Sequence, residues 1–424
     1  MRISSPHFET AAFFFLDGLA NVIDFAFHFW MGRVLIPADF AVLQTLNSIA
    51  LVYVTASGVF QPVVGRFIAE ARGKGEEDSI PAIFQTFLRA ALLLGTILSI
   101  LVFAFSTALS HLLNLPSWTI KLSAALIFLS TLRPIAAGVL QGQERFLAFG
   151  FARLALSLGR ILFIAIFIPA GIGLTGAIVA LPFGWLVSVF CAFLFIGNLL
   201  WKKSGHLQQN ILHDGWKLSA YALLAYFAYM SLTSLDLVWV NRTLDSDLAG
   251  AYASLVLLRR IVALLPGVTV TIIFPRIARL LAQGRRTDRL LVETAGIILA
   301  AGAALTTLYF LFADQLMALL FKDQYPAAAP LLGPMGIATI GVSLSSIWLN
   351  YYLAERPRNF VTLLLMAAAL EWTLLNLLPA SVSNATLAFG ATGWLLSVGG
   401  LFLYTTRLPR GPSTALPSAQ DTPQ

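Results

Sequence analysis

Charged residues are scarce in this sequence of 424 residues. Asp, Glu, Lys and Arg make up only 11%, whereas 58% of the residues are hydrophobic and the mean hydropathy is +0.83. A soluble protein of this length needs a far more polar surface, so the composition excludes a soluble globular domain. Apolar runs of eighteen or more residues recur along the chain. Each is long enough to cross a bilayer as a helix.

The sequence also has only one cysteine and no recognisable catalytic motif. The single cysteine, Cys191, lies inside an apolar run and excludes an internal disulfide. We find no metal-ligand spacing, no Gly-rich phosphate loop and no Ser/His/Asp arrangement of the kinds that indicate chemistry. We therefore expect no catalytic residue, no metal and no cofactor, and we predict that the chain is not an enzyme.

The apolar runs predict an all-α polytopic membrane protein. Backbone groups in lipid must pair within their own segment, and the runs lack the apolar/polar alternation of barrel strands. We predict twelve spans, at about 10–32, 40–64, 83–108, 119–141, 148–169, 172–200, 218–241, 249–274, 291–313, 328–353, 360–379 and 386–405. A polar cytoplasmic linker at 201–217 separates an N-terminal six-helix lobe, 1–200, from a C-terminal six-helix lobe, 218–406. The tail 407–424 is rich in Pro, Ser and Thr and is predicted to be disordered.

The distribution of basic residues predicts the orientation. Of the 27 Lys and Arg residues, 19 lie in or beside loops of one parity, four in the opposite loops and four inside spans. The positive-inside rule then places both termini in the cytoplasm. The net charge of +7 follows from the same rule, and without a basic domain we expect no nucleic-acid partner.

The two halves of the sequence are alike. The segment 32–43, which joins the first two spans, matches 241–252 between spans seven and eight, an offset of 209 positions. Arg33 then corresponds to Arg242, and Ala41 to Gly250. Because six spans is an even number, both lobes have the same orientation. Parallel repeats of this kind are typical of transporters with a site between the lobes.

Four segments resemble a known family: GRVLIPADFAVLQTL (32–46), GVLQGQERF (138–146), NRTLDSDLAGAYASLVLLRRI (241–261) and LLPGVTVTIIFPRIARLLAQG (264–284). They are similar to polysaccharide and O-antigen flippases, the Wzx-like branch of the multidrug/oligosaccharidyl-lipid/polysaccharide (MOP) exporter superfamily. The resemblance covers about 18–407. It departs from the family at Ala41, where Gly is usual. Twelve spans, rather than the fourteen of peptidoglycan-precursor flippases, count against lipid II as cargo.

The resemblance implies a MATE-like arrangement of two lobes around a central cavity that opens to each side in turn. The implied cargo is a polyprenyl-diphosphate-linked oligosaccharide, moved across the inner membrane of a bacterium. The implied partners are this lipid-linked substrate, membrane lipids and polysaccharide assembly proteins.

Four arginines lie inside predicted spans, namely Arg133, Arg160, Arg259 and Arg260. A charge at mid-membrane costs several kcal/mol, so it usually lines a cavity or has a partner. Arg presents delocalised donors in a fork that matches phosphate oxygens, and we predict that these four hold a diphosphate. Arg259 and Arg260 are about 100° apart around a helix, so at most one faces a cavity squarely. The alternative is structural ion pairing, with Glu371 as the expected partner of Arg160.

The acids of the spans have two interpretations. Asp17, Asp24 and His28 lie at i, i+7 and i+11, on one stripe of the first helix, and Asp236 is the one acid well inside the seventh span. Together with Glu371, they are candidates for coupling transport to H⁺ or Na⁺. The simpler interpretation pairs them with arginines of the same cavity.

Two other functions remain open at this point. An ion-coupled multidrug or small-molecule antiporter of the same superfamily would rely on the acids and need little from the arginines. A membrane glycosyltransferase or polymerase would normally need a large loop or domain with catalytic groups, which the sequence does not provide.

Overall fold

A computed structural model describes residues 6–169, 171–202, 211–282, 287–322, 324–355 and 358–407. All regular structure in these ranges is helical. The α-helices are α1 Pro6–Val34, α2 Pro37–Gly58, α3 Phe60–Gly73, α4 Ile80–Ala104, α5 Ser106–Leu113, α6 Ser117–Gly142, α7 Phe146–Phe167, α8 Gly173–Ile196, α9 Asn198–Trp201, α10 Ile211–Leu232, α11 Leu235–Thr243, α12 Ser246–Ala282, α13 Asp288–Leu311, α14 Ala313–Phe321, α15 Ala329–Glu355, α16 Arg358–Leu377 and α17 Val382–Arg407.

Eleven helical segments of the described chain are long and apolar enough to cross a membrane. They cover eleven of the twelve predicted spans, and α12, a helix of 37 residues, covers the predicted eighth. The predicted all-α, multi-span fold class is confirmed. The predicted tail lies almost wholly outside the described residues, as do residues 203–210 of the predicted linker. The last part of that linker is helical, because α10 begins at Ile211.

Some predicted spans are divided in the structure. The second span is α2 followed by α3, with a break at Val59, and the seventh is α10 followed by α11. The third span ends at Ala104, and the rest of its apolar run forms the short helix α5. A second short helix, α14, follows α13 in the same way. Hydropathy averaged over a window as long as a span does not resolve these breaks.

Most helix packing occurs within each half of the chain. In the first half, α1 packs on α7, α7 on α8, and α6 on α3, α4 and α8. In the second half, α15 packs on α12, α13 and α17, and α16 packs on α17. The halves meet mainly where α2 lies against α10 and α12, with smaller contacts of α1 with α14 and of α11 with α5.

Glycines allow two helices of the first half to approach closely. An added Cβ at Gly138 of α6 would lie 2.6 Å from the carbonyl oxygen of Gln61 in α3, and one at Gly142 would lie 2.6 Å from that of Gly65. Glycines four residues apart form a flat strip on one helix face, a packing device common in membrane helices. The contact fixes α6, which carries Arg133, against α3.

Candidate functional site

A cavity of about 600 Å³ lies between the helices of the first half and α12 of the second. Its walls come from α1, α2, α6, α7, α8 and α12. The charged and polar side chains on these walls are those of Asp17, Asn21, Asp24, His28, Asn47, Arg133, Arg153, Arg160 and Arg260. The apolar part of the wall includes Leu126, Leu156, Trp185 and Leu257. Two acids thus face four arginines, which leaves an excess of positive charge.

The stripe of α1 predicted from the sequence faces this cavity. Asp17, Asp24 and His28 all line it, as their helical spacing requires. The His28 side chain is buried, and its Nδ1 lies 3.0 Å from Nε2 of the buried Gln44 on α2. Since a side-chain amide nitrogen can only donate, Nδ1 is the acceptor. His28 is therefore held in one orientation by α2.

Asp24 joins two arginines of α7. Its Oδ2 lies 3.1 Å from Nη2 of Arg153, and its Oδ1 lies 3.4 Å from Nη1 of Arg160. Arg153 also donates to Asn21 Oδ1 at 2.9 Å, and its Nε lies 3.5 Å from Asp17 Oδ1. Both acids of the cavity are consequently paired, as the simpler interpretation of the sequence expected.

Arg160 is not fully satisfied by this pairing. Its side chain is only 10% exposed, and its Nε has no hydrogen-bond partner among the described residues. Buried donors of this kind nearly always find an acceptor. The charge of Arg160 is thus only partly compensated by hydrogen bonds within the described structure.

Two cavity arginines have neutral partners. Arg133 donates from Nε to Ser188 Oγ at 3.0 Å, and its guanidinium lies 5.5 Å from the ring of Trp185. Arg260 donates from Nη2 to Ser48 Oγ at 3.0 Å. Within the described part of the chain, neither forms an ion pair. These two charges are the source of the cavity's positive excess.

Arg259, predicted as a cavity cation, lies elsewhere. It forms a buried ion pair with Asp236 of α11, through both terminal nitrogens, and stacks 4.0 Å from the ring centre of Phe389. Tyr252 donates to the same carboxylate at 2.6 Å. Neither Arg259 nor Asp236 is among the residues that line the cavity. Because adjacent helical residues point in different directions, Arg260 faces the cavity and Arg259 does not.

The expected pair between Arg160 and Glu371 is not formed, because Arg160 pairs with Asp24 instead. Glu371 is fully buried on α16, and neither carboxylate oxygen has a hydrogen-bond partner in the described structure. The charges that act on it most strongly are those of Asp236 and Arg259. Glu371 thus belongs to a second, buried polar cluster together with Asp236, Tyr252 and Arg259.

Arg153 was not recognised as a site residue from the sequence. It lies near the start of the fifth span and is one of the 19 basic residues in or beside the loops of one parity. A signal was present, since Arg153 precedes Arg160 by seven residues and shares its helix face. A cation at a span boundary extends toward the headgroups or toward a cavity according to its helix face, and here it turns inward.

No protein-family model matches the sequence, and no curated protein matches it either. Solved structures do match the fold. An inward-facing multidrug-resistance transporter of the MATE family, in the MOP superfamily, is 13% identical, with a TM-score of 0.75 over 92% of this chain and 94% of that one. The lipid II flippase MurJ, in an inward closed conformation, is 12% identical, with a TM-score of 0.71 over 93% and 87%.

A third structure is a MOP superfamily transporter from Pyrococcus furiosus, described as having a binding pocket of reversed polarity that suggests a different function. It is 14% identical, with a TM-score of 0.58 over 94% of both chains. At these identities the likeness concerns the fold alone. The chain therefore has the MATE-like fold of multi-pass membrane proteins. The structural neighbours named here are transporters.

Proposed function

We propose that the protein is a transporter that moves a polyprenyl-diphosphate-linked oligosaccharide across the membrane by alternating access. The observation that carries this proposal is the excess of arginine in the cavity. Four arginines face two carboxylates, and Arg133 and Arg260 have only neutral partners. A cavity with this charge favours an anion.

The type of cation favours a phosphate ligand in particular. Arginine stays charged when it is buried, and its planar fork donates two parallel hydrogen bonds to a phosphate or diphosphate. Arg133 and Arg160 come from the first half of the chain and Arg260 from the second. A diphosphate held between them would bridge the two halves, while its prenyl chain stays in lipid.

For the transport cycle we propose that residues 1–200 and 218–406 form two lobes that move against each other. The protein would lie in the inner membrane of a bacterium, with both termini on the cytoplasmic side. MATE-family proteins with this fold are known in inward-facing and outward-facing forms. The six-plus-six repeat predicted from the sequence supports a similar rocking movement here. The cargo would enter from one leaflet and leave toward the other.

The alternative, an ion-coupled multidrug or small-molecule antiporter, has less support from the cavity. A cationic substrate of such an antiporter needs a carboxylate free to meet its positive charge. Asp24 is already shared between Arg153 and Arg160, and Asp17 lies beside Arg153. One structural neighbour is a multidrug transporter and another is a lipid flippase, so the fold itself does not favour either cargo.

For ion coupling we propose Glu371 ahead of Asp17, Asp24, His28 and Asp236. The other acids are each paired with an arginine, and His28 is held by Gln44. Glu371 is the buried carboxyl group without a partner among the described residues. Its two oxygens are therefore not held by an arginine and are left to bind the coupling ion.

The test is transport in reconstituted liposomes. The probe is a fluorescent short-chain prenyl-diphosphate sugar, and an impermeant quencher reports its exposure in the outer leaflet over time. We expect Arg133→Ala and Arg260→Ala each to slow transport about tenfold or more, since a charge-assisted hydrogen bond contributes about 1.5–3 kcal/mol. The matched control is Arg289→Ala, which removes a highly exposed arginine. Equal rates in all variants, or no transport of the lipid under any imposed H⁺ or Na⁺ gradient, would overturn the proposal.

A further inference from the structure

Two repeat-related contacts join the halves of the molecule at one end. Each connects the end of the first span of one half to the short helix of the other half. The first contact joins Arg33, at the end of α1, to α14. The second joins Asn241, at the end of α11, to α5. We call them the Arg33 clasp and the Asn241 clasp.

The Arg33 clasp consists of hydrogen bonds to carbonyl groups at the end of α14. Arg33 donates from Nε to the carbonyl oxygen of Leu320 at 3.0 Å and from Nη2 to that of Leu319. The last carbonyls of a helix have no partner within the helix and carry partial negative charge. A guanidinium is well suited to satisfy two of them. Beside it, Tyr325 donates to the carbonyl oxygen of Gly32 at 3.2 Å.

Close packing supports the same contact. A Cβ at Gly32 would lie 2.7 Å from the ring of Phe321, the last residue of α14. A methyl group at position 32 would therefore have to displace the buried Phe321 ring. The absence of a side chain at Gly32 is thus part of how the Arg33 clasp closes.

The Asn241 clasp uses the same kind of acceptor. Asn241 donates from Nδ2 to the carbonyl oxygens of Leu113 and Asn114, at 3.5 and 3.3 Å, and Asn114 donates back to the carbonyl oxygen of Asn241 at 3.2 Å. Leu113 is the last residue of α5. Here too, the end of a first span satisfies the free carbonyls of a short helix in the opposite half.

The two clasps are related by the internal repeat. Gly32 and Arg33 correspond to Asn241 and Arg242 at the offset of 209 positions. Asn114 and Lys322, which end α5 and α14, both adopt the left-handed conformation, with φ of 52° and 54°. That conformation is uncommon for residues other than glycine and ends a helix while leaving its last carbonyls accessible. Both halves therefore have the same device, built with different side chains.

We propose that the two clasps form a gate that holds this end of the cavity shut, and that both must break before the cavity opens there. The residues that line the cavity on α1, Asp17 to His28, come before the clasp residues of the same helix. By the positive-inside rule the clasps lie on the outer side of the membrane. The proposal does not depend on which cargo is carried.

The test measures the distance across the gate in the full chain. Cys191 is replaced by Ser, and spin labels are placed on His111→Cys in α5 and Gln315→Cys in α14, both exposed positions. Double electron–electron resonance in lipid nanodiscs then measures the distance between the two labels. Three variants are measured, namely Arg33→Ala, Asn241→Ala and the two combined, and Arg242→Ala is the control. This control removes an exposed arginine at the repeat position of Arg33.

We expect one short distance between the labels in the labelled protein with both clasps intact, and the same distance in Arg242→Ala. Each clasp variant should add a longer distance, with the ratio of open to closed protein rising about fivefold per hydrogen bond lost, and the double variant should be the most open. An unchanged distance distribution in a folded, monodisperse double variant would overturn the gate.

If the double variant does not fold, the single variants are tested by access to the cavity. Ala50→Cys places a thiol on the cavity wall, and an impermeant thiol reagent is added from the clasp side. We expect labelling several-fold faster in Arg33→Ala and in Asn241→Ala than in Arg242→Ala. Equal labelling rates in all three would contradict the proposal.

Discussion

At the scale of single residues, Asp24 is the group that organises the cavity. It accepts from Arg153 and Arg160 of α7, and so holds two cations at a spacing that a phosphate group can also bridge. Removing one partner from a buried pair leaves the other charge uncompensated, which is costly. Asp24 therefore acts as an internal counterion for Arg153 and Arg160. A bound diphosphate would either share these two arginines with Asp24 or replace it as their partner.

Asp24→Asn should lower the melting temperature of the empty protein and increase its stabilisation by an anionic ligand. The measurement is the shift in melting temperature caused by geranylgeranyl diphosphate, compared with geranylgeraniol, since a ligand stabilises the state that it binds. Asp17→Asn is the control, because this carboxylate is more exposed than Asp24 and lies at the longer distance from Arg153. Identical diphosphate shifts in the wild type and in Asp24→Asn would contradict this role.

The buried cluster around Arg259 leads to a second residue-scale prediction. Asp236→Asn should destabilise the protein by about 3–5 kcal/mol, since it leaves Arg259 buried without its counterion. Glu371→Gln should change stability by less than about 1 kcal/mol, because Glu371 has no hydrogen bond to lose in the described structure and the shape is kept. Denaturation in detergent, followed by Trp fluorescence, distinguishes them. A loss in Glu371→Gln as large as that in Asp236→Asn would show that Glu371 has an essential partner.

The sequence predicted which residue types mattered better than it predicted their partners. Arginines inside apolar runs are costly, so Arg133, Arg160 and Arg260 stood out, and the structure places all three at one cavity. The partner of Arg259 could not be read from the sequence, because Asp236 and Glu371 are both buried acids and only the packing of α11 and α16 separates their roles. Arg153 was missed because a basic residue at the end of a span usually reflects the orientation of the protein in the membrane rather than a binding site.

At the scale of helices, close backbone contacts fix the walls of the cavity. The glycine strip of α6, Gly138 and Gly142, lies against the backbone of α3. A methyl group there would meet backbone atoms, which cannot rotate away as a flexible side chain can. The position of α6, and with it that of Arg133, depends on this contact.

Gly138→Ala should destabilise the protein by about 1–3 kcal/mol, the usual cost of overpacking a tight contact. Gly296→Ala in α13 is the matched control, because a Cβ there meets nothing within 4 Å. Alanine also favours the helix over glycine by about 1 kcal/mol, so the control should be neutral or slightly stabilising. Thermal unfolding of both variants is the measurement. A Gly138→Ala variant as stable as Gly296→Ala would mean that α3 and α6 separate without cost.

The membrane-crossing segments were predictable, whereas their division into separate helices was not. Long apolar runs predicted the membrane-crossing segments, because length and hydropathy are local properties of the sequence. The breaks before α5, α11 and α14 are only one or two residues long, which is shorter than a hydropathy window resolves. These short helices also carry the clasps, so the missed boundaries coincide with the part of the fold that joins the two halves.

At the scale of the whole molecule, the cavity arginines and the two clasps lie in different parts of the protein. The arginines line a cavity surrounded mostly by the first half, with Arg260 contributed by the second. The clasps join the halves at one end, beyond that cavity. An anion bound between Arg133 and Arg260 would contact both halves, so its binding energy would act on their relative position, as coupling between a site and a conformational change requires.

The most direct test of the central claim, that the cavity selects a lipid by its diphosphate, is competition for transport in the reconstituted system. Transport of the fluorescent prenyl-diphosphate sugar would be measured with farnesyl diphosphate, farnesol or the cation tetraphenylphosphonium as competitor, in the wild type and in an Arg133→Ala, Arg260→Ala double variant. We predict that farnesyl diphosphate inhibits the wild type at least tenfold more strongly than farnesol, that the cation has no effect, and that the double variant loses the preference. Inhibition by tetraphenylphosphonium, or by farnesol as strongly as by farnesyl diphosphate, would contradict a diphosphate site and favour a drug antiporter.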